Sequence, residues 1–284
     1  MTYDTKFRHL SPAASQQVPP AASVIGSALT SFWSPVNRFL EWFGELGFFV
    51  AQVMRAAFRR PFEGRELFRQ LDEIGSKSFP LVALAGAAVG AVLALESRYS
   101  LVRFGAKSML PAAVIFSIIH ETGPIVTGLV VSGRVGAGIG AELGSMRVTE
   151  QIDAIEASGV NPYKLLAFTR ILACILMLPL LTLAADCCGV VMGWIADTLV
   201  DPISFHKFLH AGLHGTTFSD FLAPTFRTAV FGLIIGVVAC FQGMSTSGGT
   251  EGVGRAATSS VVLSSLFVIL ADVILVKLIL VFFP

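Results

Sequence analysis

Residues 170–196 read RILACILMLPLLTLAADCCGVVMGWIA, a run broken by a single acidic side chain, Asp186. The hydrocarbon core of a bilayer is about 30 Å thick and takes roughly 20 apolar helical residues to cross. This run is long enough to cross it. Four more runs of the same kind lie on either side, at about 79–97, 109–133, 222–245 and 258–283. Together they predict an all-α polytopic integral membrane protein with five transmembrane helices.

Composition agrees with that reading. The 284 residues are 54% hydrophobic and 14% charged, with a mean hydropathy of +0.74, where a soluble domain carries about 25% charged residues. A water-soluble protein is excluded on this ground. The formal net charge of +1 gives no field that would draw nucleic acid, so no nucleic-acid partner is expected. Cys174, Cys187, Cys188 and Cys240 all fall inside apolar stretches, where a thiol acts as a small hydrophobe rather than a disulfide half.

Residues 1–28 are rich in Pro, Ala and Ser and lack the apolar core of a signal peptide, which predicts a disordered cytoplasmic tail. In residues 29–62, Val36, Phe39, Leu40, Phe43, Leu46, Val50 and Met54 recur at helical spacing, with Asn37, Arg38, Glu41, Glu45, Gln52 and Arg55 between them. That pattern predicts an amphipathic helix lying in the membrane interface; a sixth span is the competing reading. Residues 63–284 then form the five-span domain.

Charge placement predicts the orientation. Arg55, Arg59, Arg60, Arg65, Arg69 and Lys77 precede the first span, while Asp197, Asp201 and Asp220 lie between the third and fourth. By the positive-inside rule the amino terminus is cytoplasmic. Arg98, Arg103 and Lys107 in the first external loop run against the rule. Small residues recur every four positions at Gly86 and Gly90, at Gly136, Gly140 and Gly144, and at Gly232 and Gly236, a spacing that lets helices pack closely in lipid.

The chemistry concentrates in HETGPIVTGLVVSGRVGAGIGAELGSMRVTEQIDAIEASGVNP, residues 120–162. His120 and Glu121 sit inside a span, where ionisable groups are costly unless they face a cavity or a partner; a packing role for the pair is the plainer alternative. Arg134 follows near the end of that span. At about 141–158, Glu150, Asp153 and Glu156 are spaced three apart beside Ile152 and Ile155, and Gly159, Asn161 and Pro162 supply a stop. This predicts a short amphipathic helix at the cytoplasmic face, suited to docking on a soluble partner or else only solvated.

These residues resemble the MlaE/YrbE permease family of MCE-type ABC lipid transporters. The resemblance rests on Glu121-Thr122-Gly123-Pro124, on Ala141-Glu142-Leu143-Gly144-Ser145-Met146-Arg147 and on Glu150-Gln151-Ile152-Asp153-Ala154, with FQGMSTSGGTEGVGRAATSSVV at 241–262 as a second block. It covers about residues 30–283. It implies a permease moving phospholipid or a related lipid between the inner membrane and an external carrier, with His120, Glu121 and Arg134 at the substrate path or gate. It also implies that Glu150, Gln151, Asp153, Ala154 and Glu156 couple to an ATPase, and that Gly136, Gly140 and Gly144 pack helices. The partners it implies are an ATP-binding subunit, a second copy of the chain, an MCE-domain lipid-binding protein and a small cytoplasmic accessory subunit. Family members often carry Arg where this chain has His120, so a permanently charged side chain is replaced by the one whose unperturbed charge change falls near neutrality.

The chain carries no G-x-x-x-x-G-K-[ST] loop, so ATP-Mg is expected only on the partner, and no cofactor on the chain itself. The glycines of 248–255 are expected to form a close turn. His120-Glu121 is not a zinc motif, because Pro124 stands where the second His would be. His206, His210 and His214 repeat every four residues, but an amphipathic surface helix is the preferred reading over a metal site. The rival function is an ion- or proton-coupled secondary transporter using intramembrane Glu121, Asp186 and Asp272, although the inverted repeats common in such proteins are not visible.

Overall fold

The computed structural model describes residues 21–57, 63–214 and 218–282, and among these there are helices and no strands. The chain divides into two compact units, residues 1–47 and 48–284. In the first, residues 21–47 are helical. They belong to α1, Ala21–Ala57, which begins at Ala21 rather than at about 29, so the end of the expected tail is helix. The rest of that tail, and residues 58–62, lie outside the described residues.

The second unit contains five helical stretches long and apolar enough to cross a membrane, Gly64–Arg103, Lys107–Val148, Tyr163–Thr198, Leu222–Met244 and Gly249–Ile279. The sequence runs predict the same five, but the helices extend well beyond the apolar cores. The first is α2, Gly64–Arg103, whose polar first third precedes the apolar part. The second is broken into α3, Leu110–Ser117, α4, Gly123–Val131, and α5, Ala137–Val148, joined by π-helical turns at Ile118–Thr122 and Ser132–Gly136. A further π-helical segment, Tyr163–Phe168, leads into α7, Thr169–Thr198. The last two spans are α9, Phe218–Met244, and α10, Gly249–Phe282.

The short helices cap opposite ends. α6, Gln151–Ala157, lies between α5 and α7, and α8, Phe205–Leu213, between α7 and α9. The ends are called here the α6 end and the α8 end.

Helix α7 is the spine of the bundle. On one side α2 runs parallel to it, and Gly86 and Gly90 lie directly on the backbone of Ala185 and Gly189. A Cβ at Gly90 would collide with main-chain atoms, which cannot move aside. On its other side Gly232 and Gly236 of α9 meet Cys174 and Ile171. Gly140 and Gly144 of α5 likewise pack on α10 through Ser260 and Ala256, with Thr246 beside Gly144, while Gly136 is looser, with room for a Cβ that would come no nearer than 3.8 Å to another residue. Close backbone approach, rather than apolar transfer, is what holds helices together in lipid.

Two local expectations change. The segment 141–158 is not one helix: α5 ends at Val148, Glu150 adopts φ +58, and α6 starts at Gln151. The left-handed backbone of Glu150 turns the chain between the two helices. Gly159, at φ +83, ends α6 as expected, in a conformation that costs glycine least. In 248–255 only Gly248 and Gly249 have positive φ and form the turn; the rest is the beginning of α10.

Candidate functional site

The three ionisable residues expected in the second span all lie on its π-helical turns, His120 and Glu121 on the first and Arg134 on the second. A π turn inserts one extra residue into the helix and is frequent at functional sites. It re-aims the side chains that follow.

At the first turn, the partner of Glu121 is Arg227 of α9, with Nη2 3.9 Å from Glu121 Oε2. The same Nη2 donates to the carbonyl of His120 at 2.6 Å, and Nε lies 3.3 Å from Asp272 Oδ1 of α10. Three spans are thereby joined by one guanidinium. Arg227 and Asp272 are buried, with side chains 3% and 9% exposed, whereas Glu121 is 55% exposed. A lone charge in a bilayer costs roughly 2.5–3.5 kcal/mol on insertion scales; here the cation sits between two carboxylates. The His120 ring stacks on Phe116 with centroids 4.0 Å apart.

Asp186, in the middle of α7, is buried against Gly123, and its Oδ1 has no hydrogen-bond partner among the described residues. Of the three carboxylates named as a relay, Arg227 joins Glu121 and Asp272, while Asp186 is held separately on the α-carbon of Gly123.

Arg134, at the second π turn, donates from Nη1 to Ser78 Oγ at 2.6 Å and to the Glu73 carbonyl at 3.4 Å. It lines a cavity of about 350 Å³ between α2 and α5. Glu121 and Arg134 do not meet; α4 separates them, as their spacing along one span requires.

At the α6 end the buried guanidinium of Arg170, 2% exposed, donates to Glu142 Oε1 at 2.8 Å and to the Leu166 carbonyl at 3.0 Å. Arg147 of α5 pairs with Asp153 of α6. Of the expected coupling residues, Gln151, Asp153, Ala154 and Glu156 belong to α6 and all four are exposed; Glu150 precedes the helix. A groove of about 570 Å³ lies beside α6, lined by Glu142, Gln151, Ile155 and Arg170 among others. The aromatic ring of Phe49, in the second unit's part of α1, packs edge-on against Tyr163 and Phe241 near this end.

At the α8 end Arg98 pairs with Asp197 at 2.6 Å and with Asp201, and Lys107 pairs with Asp201 at 2.6 Å. Two of the three basic residues that break the charge rule are thus neutralised locally. His206, His210 and His214 are exposed along α8 and at its end, with ring centroids 6.1 and 5.8 Å apart.

Arg227 and Arg170 were not singled out from sequence, although an arginine inside an apolar run is a signal of the same kind as Glu121. Each is the cation that accounts for a carboxylate noticed nearby.

The family described as Permease MlaE matches residues 67–278 of the chain. A protein named "Probable ABC transporter permease protein" from Rickettsia felis is 36% identical over 241 residues, 85% of this chain and 93% of that one. A protein similarly named from Synechocystis is 31% identical over 234 residues, 81% of this chain and 89% of its own length. "Protein TRIGALACTOSYLDIACYLGLYCEROL 1, chloroplastic" from Arabidopsis thaliana is 30% identical over 246 residues, 86% of this chain and 70% of that protein.

Proposed function

Because this chain belongs to the MlaE permease family, we propose that it is the membrane subunit of an ABC transporter that moves phospholipid or a related lipid, powered by a separate ATPase. The single observation that carries the lipid reading is Glu121, a carboxylate 55% exposed on a membrane-spanning helix yet bound to a buried arginine. Lipid tails cannot solvate it, so it requires water, a headgroup or a second copy of the chain in front of it. A homodimer with a lipid cavity facing Glu121 from both sides meets that requirement. The name of the Arabidopsis relative, which is that of a galactolipid, is in keeping with a lipid cargo.

In this reading α6 is the coupling helix. Its exposed Gln151, Asp153 and Glu156 dock on the ATPase, and the paired Arg147–Asp153 and Glu142–Arg170 connect any force on α6 to spans two and three. The α6 end is cytoplasmic, the membrane is the cell's inner one, and residues 29–62 lie in the membrane interface. The α8 end faces an external MCE-domain carrier, and a small cytoplasmic accessory subunit completes the assembly. ATP and Mg²⁺ belong to the ATPase.

The secondary-transporter reading has less support, since Glu121 and Asp272 are both tied to Arg227 and Asp186 lies apart from that cluster on α7. Purification from the native membrane separates the two. The permease reading expects an ATPase in stoichiometric amount together with bound phospholipid; ion-driven flux from the isolated chain with no ATPase attached would overturn it.

A further inference from the structure

We propose that the cavity between α2 and α5 is a seat for the phosphate-bearing headgroup of a glycerophospholipid, with Arg134 taking the phosphate. The inference rests on the lipid-permease reading and adds to it a specific site remote from Glu121.

Depth is the first argument. Arg134 reaches Ser78 and the carbonyl of Glu73, and the apolar part of α2 begins at Phe79. The guanidinium therefore sits where polar helix gives way to apolar helix, the level at which headgroups meet acyl chains. The cavity mirrors that boundary, with Arg69, Glu73, Arg134 and Glu142 on its walls beside Ile74 and Ile139.

The second argument is unused hydrogen-bonding capacity. A guanidinium offers five N–H donors in a planar fork that matches phosphate. The bonds of Arg134 use Nη1 alone, so Nε and Nη2 have no protein acceptor among the described residues. Ser78 fixes the fork from behind, as a binding arginine requires. At about 350 Å³ the cavity lies within the size range of small-ligand sites, roughly 300–1,000 Å³.

Charge on the walls narrows the ligand. Glu73 and Glu142 line the same cavity as the two arginines; each spends one carboxylate oxygen on a cation of its own, Lys77 or Arg170, and the other oxygen opposes a bare anion such as free phosphate. A headgroup with an amine beside its phosphate satisfies both signs, and its acyl chains leave along the apolar side. An aminophospholipid is the ligand class that fits.

The test uses the full chain purified with its ATP-binding partner, titrated with palmitoyl-oleoyl-phosphatidylethanolamine and read by native mass spectrometry. Arg134→Ala is expected to bind the lipid about tenfold or more weakly, since a charge-assisted hydrogen bond is worth roughly that, with Arg134→Lys between the two. Gly138→Leu supplies a variant that removes no charge. Gly138 lines the cavity, and a Cβ there meets nothing within 4 Å, so the protein folds while the leucine occupies the headgroup space and lowers binding. Undiminished binding in Arg134→Ala and Gly138→Leu, with ATP-driven lipid movement intact in the wild type, overturns the site and leaves the permease reading standing. A wild type that neither binds nor moves lipid overturns both. Inorganic phosphate in large excess should leave the bound lipid in place; full displacement would make this a soluble-anion site and contradict the headgroup assignment.

Discussion

Arg170, buried in the first turn of α7, donates to Glu142 of α5 at 2.8 Å, and these two residues bracket the whole segment that carries α6. The loop proposed to bear the load of a partner ATPase is therefore closed at its base by an ion pair. Arg147–Asp153 closes it a second time nearer the tip.

Removing Glu142 leaves Arg170 buried with the Leu166 carbonyl as its remaining acceptor. Breaking a buried pair from one side costs about 3–5 kcal/mol, and the half-exposed carboxylate of Glu142 brings the expected loss to about 1–3 kcal/mol. Glu142→Ala should lower the thermal midpoint in detergent, and the double variant Glu142→Ala/Arg170→Met should regain most of it because no charge is then stranded. Equal destabilisation in both variants would mean that the pair only fills space.

The α2–α7 contact is set by backbone proximity, so position 90 tolerates no side chain. Gly90→Leu is expected to cost 3 kcal/mol or more, at or above the usual overpacking range of about 1–3 kcal/mol, and to abolish a monodisperse peak on size-exclusion chromatography. Gly254, with nothing within 4 Å of its Cβ position, is the control. Gly254→Ala should be neutral or stabilise by up to about 1 kcal/mol through helix propensity.

Most of this architecture is legible in the sequence for a physical reason. Apolar runs long enough to span a bilayer have few other folds open to them, and all five appear as helices. The packing of Gly86, Gly90, Gly232 and Gly236 follows from four-residue spacing. What the sequence does not disclose is pairing across distance. Glu121 and Asp272 stand out as isolated charges, but only the fold brings Arg227 between them. The π turns at 118–122 and 132–136 have no periodic signature, since one extra residue in a continuous apolar run leaves the composition unchanged. The break at Thr149 and Glu150 is missed because polar spacing continues smoothly through a left-handed residue.

Coupling through α6 predicts a specific biochemical loss. Glu150→Lys/Asp153→Lys should reduce the ATPase recovered with the permease several-fold while the chain still inserts. Asp153→Lys also removes the bond to Arg147, so Arg147→Ala serves as the comparison and should retain the ATPase. Normal recovery in the double-lysine variant would remove α6 from the docking surface.

The orientation can be read by labelling. In a background with the four native cysteines replaced, Ser158→Cys just after α6 should react with an impermeant maleimide only in inside-out vesicles. Ser204→Cys at the start of α8 should react only in right-side-out ones. The reverse pattern would invert the topology proposed from charge placement.

The central claim is that a separate ATPase drives lipid through a path that includes Glu121. Its most direct test is the purified complex in proteoliposomes, with transfer of a fluorescent phospholipid and ATP hydrolysis followed in the same sample. The account predicts ATP-dependent lipid movement by the wild type, and for Glu121→Gln assembly and hydrolysis as before with lipid movement reduced about tenfold or more, the scale of losing one charge-assisted contact. Lipid movement that needs no ATP, or that proceeds at the wild-type rate in Glu121→Gln, would contradict it.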